Sequence, residues 1–225
     1  MALPYPHFWV NFKIYPGTNA EEGLEIARTI ERVQAETGVD FVVSPQLPDV
    51  RLVAENTELS LLAQYADGVE PGRGMGRILL ETLVNAGVDG VSINHAERRE
   101  TLTDIDFKIR RCEELGIDST VSVFSREMGR AIAQLDPDCL VFEKPNDIST
   151  DRAITRTHPD RVEAFVDMVD EVNPRTKVFV GGGISSGDDV QLAFEQGADA
   201  VGAASAVIGA DDRYAVLSEL ASGFP

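Results

Sequence analysis

One unit recurs along this chain and limits what it can fold into: a short apolar run, a stretch of helical periodicity, then a tight turn into the next apolar run. The apolar runs fall at Phe8–Phe12, Asp40–Val43, Leu59–Ala63, Gly90–Ile93, Ser119–Val123, Cys139–Phe142, Val178–Val180 and Ala200–Ala203. Between them, Glu21–Glu36, Arg77–Ala86, Asp104–Leu115, Ser125–Gln134, Pro159–Val172, Gly187–Gln196 and Arg213–Ala221 carry the spacing of an amphipathic helix. Four helices end in a glycine that leads directly into a strand, at Gly38, Gly87, Gly116 and Gly197, the residue best suited to a left-handed helix stop. Near-continuous apolar strands separated by helices predict a parallel sheet covered on its outer side. Eight such units in 225 residues predict an α/β fold, a closed (β/α)8 barrel, as one domain over residues 1–225. A doubly wound sheet is the alternative, but the turn after Asn11-Phe12-Lys13 lacks the Gly-x-Gly-x-x-Gly pattern.

Composition narrows the partners. Asp and Glu number 38 against 20 Lys and Arg, for a net charge of −18. Lysine occurs only at positions 13, 108, 144 and 177. Without a basic stripe the chain has no means of neutralising a polyphosphate backbone or an anionic membrane, so neither is expected as a partner. Self-repulsion of this size is relieved by salt, and a high-salt cytoplasm is the expected setting. No apolar run reaches membrane-span length, and the N-terminus lacks the pattern of a secretory signal. Cys112 and Cys139 form neither a disulfide framework nor a metal-binding pattern. No metal or organic cofactor is expected.

A barrel of this kind does its chemistry at the carboxyl ends of its strands, so the polar residues there matter most. Strand one ends in Asn11-Phe12-Lys13, strand four in Asn94-His95-Ala96-Glu97, and strand six in Glu143 directly after an apolar run. Strand seven ends in Gly181-Gly182-Gly183-Ile184-Ser185, and strand eight in Ala203-Ala204-Ser205-Ala206. A partly desolvated Glu143 can take a proton from a carbon next to a carbonyl. His95 and Lys13 can stabilise the oxyanion that results. Backbone N–H groups of the glycine turn, with Ser185, can hold a phosphate. Each has a structural alternative: a solvated histidine in a turn, a salt-bridged glutamate, a lysine reaching for solvent, a merely tight turn. His95, placed where a helix is expected to begin, should be held neutral by that helix's N–H groups. His7 and His158 read as structural or solvated.

Taken in order, Asn11-Phe-Lys13, Ser44-Pro-Gln46, Ala63-Gln64, Asn94-His-Ala-Glu-Arg-Arg99, Glu143 with Pro145, Gly181-Gly-Gly-Ile-Ser185 and Ala204-Ser205 resemble the triosephosphate isomerase family in its short archaeal form. The resemblance spans essentially the whole chain and implies the TIM-barrel architecture. It also implies an aldose–ketose isomerase that interconverts glyceraldehyde 3-phosphate and dihydroxyacetone phosphate. It makes Glu143 the base, His95 the electrophile, Lys13 and Asn11 the rest of the polar site, and Glu97 a supporting carboxylate. Gly181, Gly182, Gly183, Ser185, Ala204 and Ser205 become the phosphate side. A glutamate base paired with a neutral histidine is this family's established chemistry, not a new deduction. A homo-oligomer, dimer or tetramer, is implied as well.

Three departures stand out. Where the family's lid has a Gly-Thr-Gly hinge, this chain reads Asn146-Asp-Ile-Ser-Thr-Asp151; Ser205 is followed by Ala206, not glycine; and Met75 replaces a threonine in the glycine-rich stretch Asp67–Gly76. They leave room for an isomerase of another short sugar or sugar phosphate, or for a binding paralogue without turnover. A lyase working through a Lys144 Schiff base is a further alternative.

Overall fold

Side chains alternate across a strand, and here nearly every strand residue is buried on whichever face it lies, so each face needs its own cover. The computed structural model describes residues 2–143 and 153–225. Eight parallel strands, β1 (His7–Asn11), β2 (Phe41–Ser44), β3 (Ser60–Ala63), β4 (Gly90–Ile93), β5 (Asp118–Val123), β6 (Cys139–Phe142), β7 (Lys177–Val180) and β8 (Ala200–Ala203), close in sequence order. β1 seals the cylinder by pairing with β8, Trp9 opposite Gly202. A (β/α)8 barrel is therefore the fold.

Ten helices surround it among the described residues: α1 (Ala20–Thr37), α2 (Val50–Ala54), α3 (Leu80–Val84), α4 (Leu102–Leu115), α5 (Arg126–Ala133), α6 (Ile154–Thr157), α7 (Pro159–Val172), α8 (Gly187–Glu195), α9 (Ser205–Ile208) and α10 (Arg213–Ala221). The alternation of strand side chains divides the core in two. Leu3, Trp9, Val42, Leu62, Cys139, Val141, Phe179 and Ala200 pack inside the cylinder. The larger core lies between strands and helices, where Phe8, Val10 and Val121 meet Ile30, Ile109 and Phe165. α1 shows the logic of the outer layer: Leu24, Ala27, Ile30 and Val33 fall on one face and are buried. Its stop is Gly38 at φ 74°, whose N–H bonds the Gln34 carbonyl at 2.8 Å. Gly87, Gly116 and Gly197 are likewise left-handed, as the turn pattern predicts.

One expected helix is cut short. Periodicity predicts Arg77–Ala86, yet α3 covers only Leu80–Val84. Asp67 accounts for the difference. Its carboxylate accepts the Ile78 N–H at 2.8 Å and pairs with Arg77 at 2.9 Å, while its own N–H donates to the Ile78 carbonyl at 2.8 Å. Residues 67–78 are thereby closed into a loop, and the first turn of the expected helix is spent on that closure. Lys144, Pro145 and the lid stretch Asn146–Asp151 lie outside the described residues.

Candidate functional site

At the carboxyl ends of the strands lies a cavity of about 300 Å³, bordered by residues of β1, β4, β6, β7 and β8 and the turns that follow them. Asn11, Lys13, His95, Glu143, Gly182, Gly183, Ser185, Ala204 and Ser205 all line it. Gly181 and Glu97 do not line it; each touches a residue that does.

Lys13 is held by its backbone as much as by its charge. It adopts φ 49°, a conformation unusual for a side-chain-bearing residue. Asn11 secures it by accepting the Lys13 N–H on Oδ1 at 2.8 Å, and Gln64 donates from Nε2 to the Lys13 carbonyl at 3.0 Å. The lysine side chain is only 10% exposed, and Nζ lies 3.2 Å from Glu97 Oε1. Glu97 itself is 62% exposed, so it acts on the cavity by orienting the lysine.

His95 carries its proton assignment in its contacts. The Glu97 N–H donates to His95 Nδ1 at 3.2 Å. Nδ1 is then an acceptor, and the neutral ring keeps its hydrogen on Nε2. Burial, and then the Lys13 charge, push the imidazole below its ordinary pKa. The cause differs from the one sequence predicts. No helix begins at His95; residues 96–99 form a turn, with Arg98 N–H bonding the His95 carbonyl at 2.8 Å, and α4 starts only at Leu102. Burial and the Lys13 charge, not a helix end, favour the neutral form, and a single peptide N–H selects its Nε2–H tautomer.

The turn carrying His95 is braced from below. Asn94 is left-handed at φ 59°. Glu100 Oε1 accepts the Asn94 N–H at 2.7 Å, and Asn94 Oδ1 accepts the Glu100 N–H at 3.0 Å. Glu100 Oε2 takes the ammonium of Lys108, which is wholly buried. Sequence reading does not reach Glu100 or Lys108, because their partnership depends on α4 folding back beneath the turn.

Glu143 is the most perturbed group of the set. Its Oε2 is buried and has no hydrogen-bond partner among the described residues. Desolvation pushes its carboxyl up to about 7, with Lys13 opposing the rise and Glu97 adding to it. Gly181 explains how the carboxylate fits: a Cβ there would stand 2.6 Å from Glu143 Oε1 and 2.7 Å from Phe179 Cε1. Gly181 thus makes room for the Glu143 carboxylate and does not line the cavity.

The anion side is narrower than sequence predicts. Gly182 and Gly183 are left-handed, at φ 91° and 78°, and the Gly182 carbonyl accepts the Ile154 N–H at 3.3 Å. A trans peptide points its N–H opposite to its C=O, so the Gly183 N–H turns away from Ile154, and Gly183 borders the cavity. Ser185 borders the cavity, yet its N–H and hydroxyl are directed at Asp189 Oδ2, at 3.0 and 3.3 Å. In this structure both of its donors hold the turn to Asp189. Across the cavity, Ala204 and Ser205 open α9, whose first N–H groups have no acceptor within the helix.

The floor is aromatic and was not foreseen. Trp9 and Phe179 meet edge to face, ring centroids 5.4 Å apart, and Trp9 Nε1 donates to Ser44 Oγ at 2.8 Å. Counting by twos from Asn11 back along β1 would have found Trp9. Among the described residues, no cluster of three or more His, Cys, Asp or Glu is placed to hold a metal ion, and no helix is long and apolar enough to cross a membrane.

A carboxylate poised near neutral pH, facing the same small cavity as an N–H-bearing neutral imidazole and an ammonium, is the equipment of an enzyme that moves a proton beside a carbonyl. The model of the family described as triosephosphate isomerase matches residues 6–221. Proteins called triosephosphate isomerase are similar along nearly their whole length. That of Methanocaldococcus jannaschii is 37% identical over 94% of this chain and 96% of its own. That of Methanopyrus kandleri is 38% identical over 98% and 99%, and that of Methanothermus fervidus 38% over 96% and 97%. The chain belongs to the triosephosphate isomerase family.

Proposed function

We propose that this chain interconverts dihydroxyacetone phosphate and glyceraldehyde 3-phosphate through an enediolate. Glu143 takes a proton from C1 and returns it to C2, while the hydroxyl hydrogen passes from O1 to O2. The Nε2–H of His95 and the Lys13 ammonium carry the negative charge that builds on oxygen in between. The Gly183 N–H and the opening of α9 receive the phosphate. One observation supports this reading above the rest: the buried Glu143 carboxylate, whose Oε2 has no partner among the described residues, shares its cavity with a histidine whose Nδ1 is already engaged. A coupled assay in high salt tests it. Turnover of both triose phosphates is expected, and none from demonstrably folded protein overturns the assignment.

The lid sequence Asn146–Asp151, with two carboxylates where an anion is to be covered, favours a second reading in which another short sugar is the better substrate. A panel of phosphorylated and unphosphorylated trioses and tetroses separates the two.

We further propose a homo-oligomer, dimer or tetramer. Ile14, Met75 and Leu102 are 83%, 97% and 63% exposed on the turns after β1 and β3 and at the start of α4, large apolar side chains that a second copy would cover. Sedimentation of the wild type and of Met75→Lys tests this, with a lighter species expected for the variant.

A further inference from the structure

Arg156 takes no part in lining the cavity, yet its contacts reach the turn that does. It lies on α6, the first helix after the lid stretch. Its Nε pairs with Asp189 Oδ1, and its Nη2 donates to Ser186 Oγ at 3.0 Å. Asp189 is 3% exposed by side chain and gathers the other half of the turn on Oδ2: Ser185 N–H at 3.0 Å, Ser186 N–H at 3.1 Å, Ser186 Oγ at 2.9 Å and Ser185 Oγ at 3.3 Å. Two residues before Arg156, the Ile154 N–H holds the Gly182 carbonyl at 3.3 Å. The same four-residue helix thus grips the anion turn at both ends, once through backbone and once through a guanidinium.

We propose that Arg156 is a positioning residue for the anion turn: with Ile154 it sets the Gly182–Gly183 peptide so that the Gly183 N–H meets the substrate's phosphate. The identification of that anion rests on the isomerase reading above.

The chemistry suits a clamp better than an ordinary surface ion pair. Exposed pairs contribute little, but this carboxylate is buried. Burial by itself would raise the Asp189 carboxyl; donation from the Ser185 backbone, the Ser186 side chain and Arg156 outweighs it and holds the group below the ordinary carboxylate range. Asp189 stays ionised and keeps drawing the turn toward α8. α6 does not depend on Arg156 for its own place, since Ala153 and Ile154 are buried and Gln196 Nε2 donates to the Thr155 carbonyl at 2.9 Å. Losing the guanidinium therefore loosens the turn at its Ser186–Asp189 end while leaving the helix seated.

Arg156→Gln and Arg156→Lys test the proposal against the wild type. Three readings are needed: kcat and KM on glyceraldehyde 3-phosphate, the affinity for inorganic phosphate by calorimetry, and the slow turnover of unphosphorylated glyceraldehyde. In Arg156→Gln, KM and the phosphate dissociation constant should each rise about tenfold with kcat nearly kept, because a small misplacement of a donor weakens binding steeply. Glyceraldehyde turnover should stay at the wild-type level, and Arg156→Lys should recover most of the phosphate affinity. Unchanged phosphate affinity in a folded Arg156→Gln overturns the clamp; so does a parallel fall on glyceraldehyde, which would mark general damage. Should the glutamine variant not fold, Arg156→Met takes its place, and wild-type phosphate affinity in a folded Arg156→Met overturns the clamp equally. A wild type that binds phosphate but turns over neither triose phosphate would defeat the isomerase reading and leave the calorimetric test of the clamp intact.

Discussion

Replacing Glu143 with glutamine should make the protein more stable as it makes the enzyme inactive, and the gain should depend on pH. The carboxyl moves from an ordinary 4.5 to about 7 because burial strips it of water. The folded state therefore binds a proton more tightly than the unfolded chain does. Below pH 4.5 both states hold the proton and the shift has no effect on the balance. Between 4.5 and about 7 the unfolded chain loses its proton first, so stability falls as pH rises. At about 1.4 kcal/mol for each pH unit in that window, the wild type carries an ionisation cost of about 3 kcal/mol by pH 8. Glutamine has nothing to ionise. Its amide will leave donors unsatisfied near the position of the unpartnered Oε2, but that cost is independent of pH. The quantity to measure is the difference in unfolding free energy, Glu143→Gln minus wild type, by denaturant titration at pH 5, 6, 7 and 8, at fixed salt and protein concentration. It should climb by about 2–3 kcal/mol across the series, while kcat falls by about a thousandfold or more. A difference that stays flat with pH would show that the carboxylate is not desolvated as the structure has it, and the assignment of a poised base would go with it.

Activity should share that titration. Glu143 works as a base only when ionised, so kcat/KM should fall as pH drops through about 7; His95, shifted below its ordinary range, should add no second limb near neutrality, and a profile flat from pH 8 to pH 6 would contradict this. Gly181→Ala should push the base aside, since its methyl would stand 2.6 Å from Glu143 Oε1, with kcat lower by about tenfold to a hundredfold; kinetics equal to the wild type would show that Glu143 does not rest there. Thermal stability should rise between ~0.1 M and ~2 M KCl as the net charge of −18 is screened; an unchanged melting temperature would count against a high-salt setting.

The barrel was legible from the chain because it depends on local rules. Apolar runs of strand length, helical spacing and the glycine stops at positions 38, 87, 116 and 197 each act within a few residues, and all of them agree. The candidate site residues were legible for a related reason: the architecture assigns its strand ends to function, so Lys13, His95 and Glu143 could be picked out from position alone, and all three line one cavity. What tertiary structure alone decided is how each is held. Gln64 reaches the Lys13 carbonyl from 51 residues away, Lys108 supports the His95 turn through Glu100, and Asp189 takes both donors of Ser185. α3 lost its first turn to Asp67 for the same reason. Such contacts are set by which groups closure of the barrel brings within hydrogen-bonding distance, and a buried donor or acceptor must take the partner that closure supplies. Sequence order carries no record of that distance, so the candidates are legible in the sequence and their supports only in the folded chain.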